Sequence, residues 1–291
     1  MKRIVITGAT GSFGKATINY LLKNGTATEN ITALVRDEKK AEDLKDKGIT
    51  LKFGDYNDYS SLVNAFQGTD ILLFISGSDV VNRTRQHENV VKAAKEAKVG
   101  HIVYTSFQRK NETDTSPIAL VADAHIKTEK WLKESGISYT ILKNNLYMDM
   151  LPVFISDKVM ETGTIYLPAG EGKAAYVLRD DMAEVAAHIL STPGHENKVY
   201  DITAETAYSY NDIAKILSAI TGKDIRYVSP SQEEFTKTMT KADVPVQYIA
   251  LFADFSEATR QGEFEYTSNT IEKLIGRKPV SPEDFLKQIY S

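Results

Sequence analysis

The chain has 291 residues, of which 42% are hydrophobic and 25% charged, a composition that is typical of a globular protein and excludes a disordered or fibrous one. Its formal net charge of -4 provides no basic face for nucleic acid, so the expected partner is a small molecule. The absence of cysteine excludes disulfides, thiolate catalysis and cysteine-ligated metal centres.

The first half of the sequence alternates short apolar runs with amphipathic segments. The apolar runs predict strands at 3–7, 31–36, 50–53, 71–76, 101–106 and 138–142. The segments between them predict helices at 13–23, 38–47, 59–66, 81–98 and 122–135. Parallel strands need crossover connections of this kind, so the alternation predicts an α/β fold with a doubly wound parallel sheet, the Rossmann arrangement.

Beyond about residue 150 the alternation loosens and helical periodicity dominates. The further helices are predicted at 181–190, 210–221, 233–239, 246–260, 270–275 and 283–290. We therefore predict a Rossmann domain at 1–150 and a smaller C-terminal α/β portion at 151–291. The second portion is not expected to fold independently, and some of its segments are expected to return to the sheet. It is expected to cap the carboxyl edge of the sheet and to bind the substrate.

No apolar run approaches the roughly 18 to 20 residues that a membrane helix needs, which predicts a protein without a membrane span. The apolar run after Met1-Lys2-Arg3 meets Thr7-Gly8 and is shorter than the apolar core of a secretory signal. The expected location is the cytoplasm. The sequence leaves open whether the protein is a monomer or a homodimer.

A motif with G-x-x-G-x-x-G spacing follows the first predicted strand and opens the first predicted helix. Such glycines allow a tight turn and a close approach of the backbone to a pyrophosphate, whose charge is stabilised at the helix N-terminus. The strand, turn and helix in this order predict a dinucleotide site, with a purely structural turn as the alternative. The residues assigned to the cofactor here are Gly8, Thr10, Gly11, Ser12, Phe13 and Gly14.

The second predicted strand ends in Leu34-Val35-Arg36, at the position where sites for NAD usually carry an acidic residue that binds the ribose. Arginine at this position can pair with the 2′-phosphate of NADP instead. The alternative is a solvated charge at the end of a strand, because Asp37 follows directly. The sequence therefore predicts NADP(H) in preference to NAD(H).

The next two strands end in residues that suit the rest of the cofactor. Asp55 is placed to accept a hydrogen bond from the adenine amino group, although it is also suited to cap the turn that follows. Tyr56 is assigned to the same region. Ser76 and Gly77 are small residues that let the ribose cross the edge of the fourth strand. Ligands bind at the carboxyl ends of strands in open α/β sheets, which is where these residues lie.

The chain resembles the atypical, NmrA-like branch of the short-chain dehydrogenases/reductases over nearly its whole length. Within that branch it is most similar to the type 2 NAD(P)H:quinone oxidoreductases and the triphenylmethane reductases. The segments that carry the resemblance are Thr7-Gly-Ala-Thr-Gly11, Ile75-Ser-Gly77, Gln86-His87, Asn89-Val90, Tyr104-Thr-Ser106, Asp114-Thr-Ser-Pro117, Lys143-Asn-Asn-Leu-Tyr147, Gly194-His-Glu-Asn-Lys198 and Lys273-Leu-Ile-Gly276.

The acid of most short-chain dehydrogenases, a Tyr-x-x-x-Lys pair on the helix after the fifth strand, is missing. The predicted helix at 122–135 contains no tyrosine, and the string from Tyr139 to Lys143 falls in the sixth predicted strand. Reduction of a simple ketone gains about 10²- to 10⁴-fold from a positioned acid. A quinone spreads the added charge through its ring, and a cationic triarylmethane dye is neutralised by hydride. The missing tyrosine therefore agrees with a quinone or a similar planar conjugated acceptor.

Residues at the ends of the fifth and sixth strands are the candidates for the acceptor side of the site. Phe107 is suited to stack on a planar ring, with core packing as the alternative. The resemblance implies that the segment of Tyr147 approaches the nicotinamide and that Tyr147 faces the acceptor, as a catalytic or substrate residue, with core packing as the alternative. His125 occupies the approximate place of the lost tyrosine and is a tentative proton donor, unless local hydrogen bonds satisfy it. Further cofactor candidates are Arg85, Thr105, Ser106, Asn144 and Asn145.

These observations predict an oxidoreductase that transfers a hydride from NADPH to a quinone-like acceptor. The alternatives are an NmrA-like redox sensor that binds NADP without turnover and a nucleotide-sugar epimerase, against which the missing tyrosine argues. No histidine or carboxylate spacing indicates a metal site, so none is expected. Arg179-Asp180-Asp181 is interpreted as the structural start of a helix.

Overall fold

The computed structural model describes residues 2–156 and 158–291. Its main sheet has seven parallel strands in the order β3-β2-β1-β4-β5-β6-β9. These strands are β1 Ile4–Ile6, β2 Ile31–Val35, β3 Thr50–Phe53, β4 Ile71–Phe74, β5 His101–Phe107, β6 Ser138–Asn144 and β9 Lys198–Ile202. The doubly wound Rossmann sheet expected from the sequence is thus confirmed.

Helices cover both faces of this sheet and form most of the chain after residue 150. In the first half they are α1 Ser12–Lys23, α2 Glu42–Asp46, α3 Tyr59–Phe66, α4 Arg83–Glu96 and α5 Ala119–Glu134. In the second half they are α6 Leu151–Phe154, α7 Val159–Thr162, α8 Arg179–Ser191, α9 Tyr210–Thr221, α10 Gln232–Lys241, α11 Val246–Arg260, α12 Thr270–Ile275 and α13 Pro282–Tyr290. Short 3-10 turns lie at Thr28–Asn30, Glu38–Ala41 and Met148–Met150.

Burial of both faces explains why the central strands are continuously apolar. Every residue of β1 and β4 is buried, as is usual for parallel strands that carry helices on each side. On one face the core includes Phe13 and Leu21 of α1 together with Val185 of α8. On the other face it includes Phe66 of α3 and Leu132 of α5. These two layers hold the carboxyl ends of the strands in fixed positions.

The segments after residue 150 contribute to two regions. β9 extends the main sheet beside β6, and α8 packs against α1. The remaining segments form two small sheets, in which β8 Lys173–Ala174 pairs with β10 Tyr208–Ser209 and β7 Thr164–Tyr166 pairs with β11 Arg226–Val228. A separate apolar cluster that includes Tyr176, Leu217 and Phe264 supports these sheets. The division at residue 150 therefore does not coincide with the edge of the main sheet.

Some boundaries differ from the sequence-based prediction for local reasons. The segment predicted as a helix at 38–47 is a 3-10 turn followed by the short α2, because Asp37 caps the turn by accepting from the Lys39 N–H. The helix predicted at 181–190 begins two residues earlier, at Arg179. Within 2–156 and 158–291, no helix combines the length and the hydrophobicity needed to cross a membrane.

Candidate functional site

A cavity of about 480 Å³ lies at the carboxyl ends of the strands, where the order of the sheet reverses between β1 and β4. Its volume is in the usual range for a small-molecule or cofactor site. Most residues that were assigned to the cofactor line it, and they are Gly8, Thr10, Gly11, Ser12, Phe13, Arg36, Asp55, Tyr56, Ser76, Gly77 and Thr105. Tyr147, the acceptor candidate, lines it as well.

The glycine turn forms the base of one end of the cavity. Gly8 has a φ of +58°, and its carbonyl accepts a hydrogen bond from the Gly11 N–H at 3.0 Å. A Cβ at Gly14 would lie 2.5 Å from the Gly8 carbonyl oxygen, so glycine is required for α1 to pack against the turn. Gly14 therefore does not line the cavity itself but allows α1 to pack closely against the turn that does. The close contact fixes the start of α1 at the cavity wall.

The N-terminus of α1 is open to an anion. Its N-cap is Gly11, which has no side chain to bind the first N–H groups. The first turn from Ser12 to Lys15, which the structure describes completely, contains no acidic residue. Unpaired N–H groups and the positive end of the helix dipole together favour a bound phosphate. The geometry fits the pyrophosphate of a dinucleotide.

Hydrogen bonds to Thr7 join the three strand ends beneath the cavity. The Thr7 hydroxyl donates to the Leu73 carbonyl at 3.2 Å and accepts from the Ile75 N–H at 2.9 Å. The Tyr56 hydroxyl lies within hydrogen-bond distance of the Thr7 hydroxyl and of the Ile75 carbonyl, the latter at 2.7 Å. Burial raises the pKa of Tyr56, so its hydroxyl remains a donor at neutral pH. These bonds hold the turn after β1 and the loop after β4 at a fixed separation.

Arg36 is exposed at the end of β2 and forms no ion pair with the described residues. The neighbouring Asp37 forms no ion pair with it, and the Asp37 carboxylate caps the next turn by accepting from the Lys39 N–H at 3.0 Å. Asp55, at the end of β3, accepts from the backbone and side-chain N–H groups of Asn57 at 2.8 and 3.1 Å. Asp55 thus shapes its own turn while it lines the cavity, and the cap of α3 is Asp58 instead.

The loop after β4 is held by a neutral histidine. The Gly77 N–H donates to Nε2 of His87 at 3.1 Å. The Thr128 hydroxyl donates to the Ala124 carbonyl, so it accepts from Nδ1 of His87, 2.9 Å away. Burial, with a smaller effect of the charge of Arg83, lowers the pKa of His87 to about 3. His87 is therefore uncharged at neutral pH and positions the cavity edge at Gly77.

His125 lies in a closed network and is absent from the described lining of the cavity. It is 4% exposed, and its Nδ1 lies 2.7 Å from the Tyr104 hydroxyl. Burial lowers its pKa well below the usual value, so the imidazole is neutral at neutral pH. One helical turn later, Glu129 pairs with Arg109 at 2.9 Å and accepts from Ser106. The geometry therefore favours the alternative in which local hydrogen bonds satisfy His125.

The remaining assigned residues lie outside the described lining of the cavity. Arg85 is exposed and donates to Asn57, which does line it, at 3.2 Å. Asn145 is buried and donates to Thr203 and to the Phe264 carbonyl, at 2.9 and 3.0 Å, and so ties the two parts of the chain together. Asn144 is buried, and its side-chain amide interacts with Tyr147.

Phe107 packs in an aromatic cluster. Its ring centroid lies 5.7 Å from that of Phe264, 6.3 Å from that of Phe255 and 5.9 Å from that of His125. Phe154, Phe252 and Phe255 continue this cluster into the C-terminal portion. The core-packing alternative for Phe107 is thus favoured.

Arg179 is the residue that sequence reasoning missed. It lines the cavity, its guanidinium carbon lies 5.4 Å from the centre of the Tyr147 ring, and its side chain pairs with Asp149. The segments meet because Tyr147 and Val177 form an isolated parallel bridge. The interpretation of Arg179 as only the start of a helix was incomplete, since the N-cap of α8 is Leu178 and the Arg179 side chain faces the cavity. No local signal in the sequence indicates this long-range contact.

The sheet, the open helix terminus and the cavity at the switch point define a dinucleotide-binding α/β protein. The sequence profile of the NmrA-like family matches residues 1–286, and the chain belongs to this family. The resemblance found in the sequence is thereby confirmed. No cluster of three or more histidine, aspartate or glutamate side chains that could hold a metal ion occurs in the part of the chain that the structure describes.

Several relatives match over almost the whole chain. Quinone oxidoreductase 2 of Escherichia coli is 37% identical over 288 residues, which cover 99% of each protein. A crystal structure of an NADPH-dependent quinone oxidoreductase from Escherichia coli with NADPH gives a TM-score of 0.90 at 37% identity, over 99% of this chain and 100% of that one. The triphenylmethane reductase of Citrobacter sp. with NADP(H) gives 0.89 at 37% identity, over 98% and 99%. The cofactor in both structures is the one that Arg36 predicts.

Proposed function

We propose that this protein is an NADPH-dependent reductase of quinones and similar planar conjugated acceptors. The observation that carries the proposal is the pairing of two anion sites in one cavity. The open N-terminus of α1 suits a pyrophosphate, and Arg36, without an ion-pair partner among the described residues, suits a 2′-phosphate. The relatives named above, a quinone reductase and a dye reductase with NADPH or NADP(H), support it.

The bound NADPH supplies a hydride, and the residues of this chain bind and orient it. The glycine turn and the N-terminus of α1 hold the pyrophosphate, Arg36 the adenosine phosphate, and Ser76 and Gly77 the edge that the ribose crosses. Tyr147 and Arg179 form the wall on the acceptor side. Proximity of the two reactants in this geometry contributes most of the rate.

We propose that water delivers the proton that completes the reduction. His125 is neutral and enclosed by Tyr104 and Phe107, which leaves it poorly suited to the acid role. Burial raises the pKa of Tyr147, so its hydroxyl stays protonated and is suited to contact the acceptor. The C-terminal portion at 151–291 contributes the wall of the acceptor site through Arg179.

Stopped-flow measurement of NADPH oxidation at 340 nm tests the proposal directly. The acceptors are a panel of benzoquinones and naphthoquinones and a cationic triarylmethane dye. We expect oxidation that depends on the acceptor and is slower with NADH. Oxidation with none of the acceptors would overturn the proposal, and equal binding of NADP⁺ and NADPH without turnover would indicate the sensor alternative. Interconversion of nucleotide sugars would indicate the epimerase.

A further inference from the structure

Arg83 is a buried arginine one helical turn before His87, whose Nε2 accepts from the Gly77 N–H at the cavity edge, although Arg83 is not among the described lining residues. It is the first residue of α4 and follows the loop from Ser76 to Asp79, whose residues line the cavity. Only 8% of its surface is exposed, and its buried Nε has no hydrogen-bond partner among the described residues. A buried polar group without a partner is rare in proteins and calls for a functional explanation.

Most of the groups around Arg83 carry no compensating charge. Arg83 acts electrostatically on Tyr147, Tyr104 and the two buried imidazoles, and all four of these groups are neutral at neutral pH. The one carboxylate that acts on Arg83 among the described residues is the exposed Asp79, which forms no ion pair with it and whose Oδ2 accepts from the side-chain amides of Asn82 and Gln86, at 2.9 and 3.3 Å. A guanidinium stays protonated even when burial lowers its pKa. A buried cation therefore lies within electrostatic reach of Tyr147, which lines the cavity.

The chemistry of this position suits an anion that forms on the acceptor. Tyr147, which lines the cavity, interacts with both Arg83 and Arg179. Arg179 is already paired with Asp149, whereas Arg83 has no such ion pair within the described residues. The buried amide of Asn144 also interacts with Tyr147. A buried cationic donor beside a reaction site is suited to stabilise developing negative charge.

We propose that Arg83 binds the acceptor oxygen and stabilises the negative charge that appears there when a quinone is reduced. The proposal rests on the proposed function and extends it, because it assigns a residue to the role that the missing tyrosine would fill. Arg83 keeps its proton throughout, so it acts as a fixed positive charge and not as an acid.

The charge balance of quinone reduction explains why a fixed positive charge is useful at this position. A C–H bond of NADPH breaks, the quinone accepts that hydrogen with two electrons, and NADPH is oxidised to NADP⁺. The product is a hydroquinone monoanion, and a proton from water completes the hydroquinone. A cationic triarylmethane dye becomes neutral on accepting a hydride, so no anion forms and Arg83 contributes no stabilisation. Substitution of Arg83 should therefore slow the reduction of a quinone but not the reduction of a cationic dye.

The test compares Arg83→Gln with Arg83→Lys and with Lys92→Gln, a control on the exposed face of the same helix. Calorimetry with the full chain and saturating NADP⁺ measures the Kd of 2-hydroxy-1,4-naphthoquinone, an anion at neutral pH, and of neutral 1,4-naphthoquinone. For Arg83→Gln we expect the Kd of the anion to rise about 10- to 100-fold. The Kd of the neutral ligand should change by less than about twofold. The chain has no cysteine, so arylation of a thiol by the quinone does not interfere with the measurement.

Kinetics provide the second arm. In Arg83→Gln the kcat for 1,4-naphthoquinone should fall about 100-fold, while the kcat/KM for the cationic dye is unchanged or higher. Arg83→Lys should retain part of the quinone activity, and Lys92→Gln should match the wild type. Equal losses for the anionic and neutral ligands, equal losses for quinone and dye, or weaker NADPH binding in Arg83→Gln would overturn the assignment. If the wild type reduces no acceptor, the proposed function fails, and the calorimetric comparison still decides whether Arg83 binds an anion.

Discussion

At the phosphate end of the cavity, the glycine turn and Arg36 come from neighbouring segments of the chain, each at the end of a strand. At the acceptor end, Tyr147 and Arg179 come from segments that meet through one isolated bridge, and Arg83 comes from the start of another helix. The first end is built largely from backbone geometry and the second from long-range side-chain contacts. We therefore expect substitutions at the phosphate end to affect folding and cofactor binding, and substitutions at the acceptor end to affect turnover.

The largest effect should come from Gly14→Ala. A Cβ there would lie 2.5 Å from the Gly8 carbonyl oxygen and 2.7 Å from Cα of Ala9, both of them backbone atoms. We expect urea denaturation to give a free energy of unfolding that is lower by about 3 kcal/mol, and fluorescence titration to give much weaker NADPH binding. Gly136→Ala is the control, because its positive φ costs about 1 kcal/mol while no atom lies within 4 Å of its Cβ. Similar stability in the two variants would argue against the packing role of Gly14.

Arg36→Ala tests the cofactor choice at the same end. Loss of a charged hydrogen bond to the 2′-phosphate should raise the Kd of NADPH about 10- to 100-fold and leave the Kd of NADH nearly unchanged. Arg226→Ala is the control, since Arg226 is exposed and pairs only locally with Asp224. Equal losses for NADPH and NADH would show that Arg36 does not bind the phosphate.

His87 holds the loop at Gly77, between the two ends of the cavity. Its protonation state should appear in the pH dependence of the free energy of unfolding. The pKa of His87 is about 3 when folded and near 6.5 when unfolded, so the unfolded chain binds the extra proton between these values. Its contribution is complete above pH 6.5 and is lost as the pH falls, by about 2 kcal/mol between pH 7 and pH 5. Urea titrations of His87→Asn should show a shallower decline than the wild type. Val90→Ala, a core change on the same helix, should keep the wild-type slope, and equal slopes in all three proteins would contradict the assignment.

Arg179→Gln should have the smallest effect. It removes a cation–π contact with Tyr147, which is worth about 0.5 to 1 kcal/mol, so the KM for the acceptor should rise about two- to fivefold while NADPH binding is maintained. Arg260→Gln, on the exposed side of α11, is the control. A loss of NADPH binding in Arg179→Gln would show that this residue contacts the cofactor instead of the acceptor.

The sequence predicted the phosphate end well because local rules determine it. The motif from Gly8 to Gly14 and Arg36 follow apolar strands directly, and the strand ends of a parallel sheet meet at one edge. Helix α1 was predicted to begin within one residue of its position, since its start is fixed by that turn. At this end of the cavity, residue type and spacing are sufficient to predict the geometry.

The acceptor end could not be predicted in the same way. Arg179 was interpreted as a helix start, because no local pattern indicates that Val177 lies beside Tyr147. His125 was placed from its position on the helix, but which side of α5 packs against Tyr104 depends on the whole core. Ser106 lies near the end of β5 as expected, yet a buried carboxylate from α5 binds its hydroxyl. Such contacts depend on tertiary packing, which overrides local propensity.

The pairing of β9 with β6 also has a consequence for how the chain is made. Until residues 198–202 leave the ribosome, β6 is the unprotected edge of the sheet, with backbone donors and acceptors free to bind another chain. At a synthesis rate of about 5 to 20 residues per second, this edge stays open for roughly 3 to 12 seconds after β6 emerges. During that interval β6 of a nascent chain is open to pairing with another chain, and a translational pause between β6 and β9 would lengthen it.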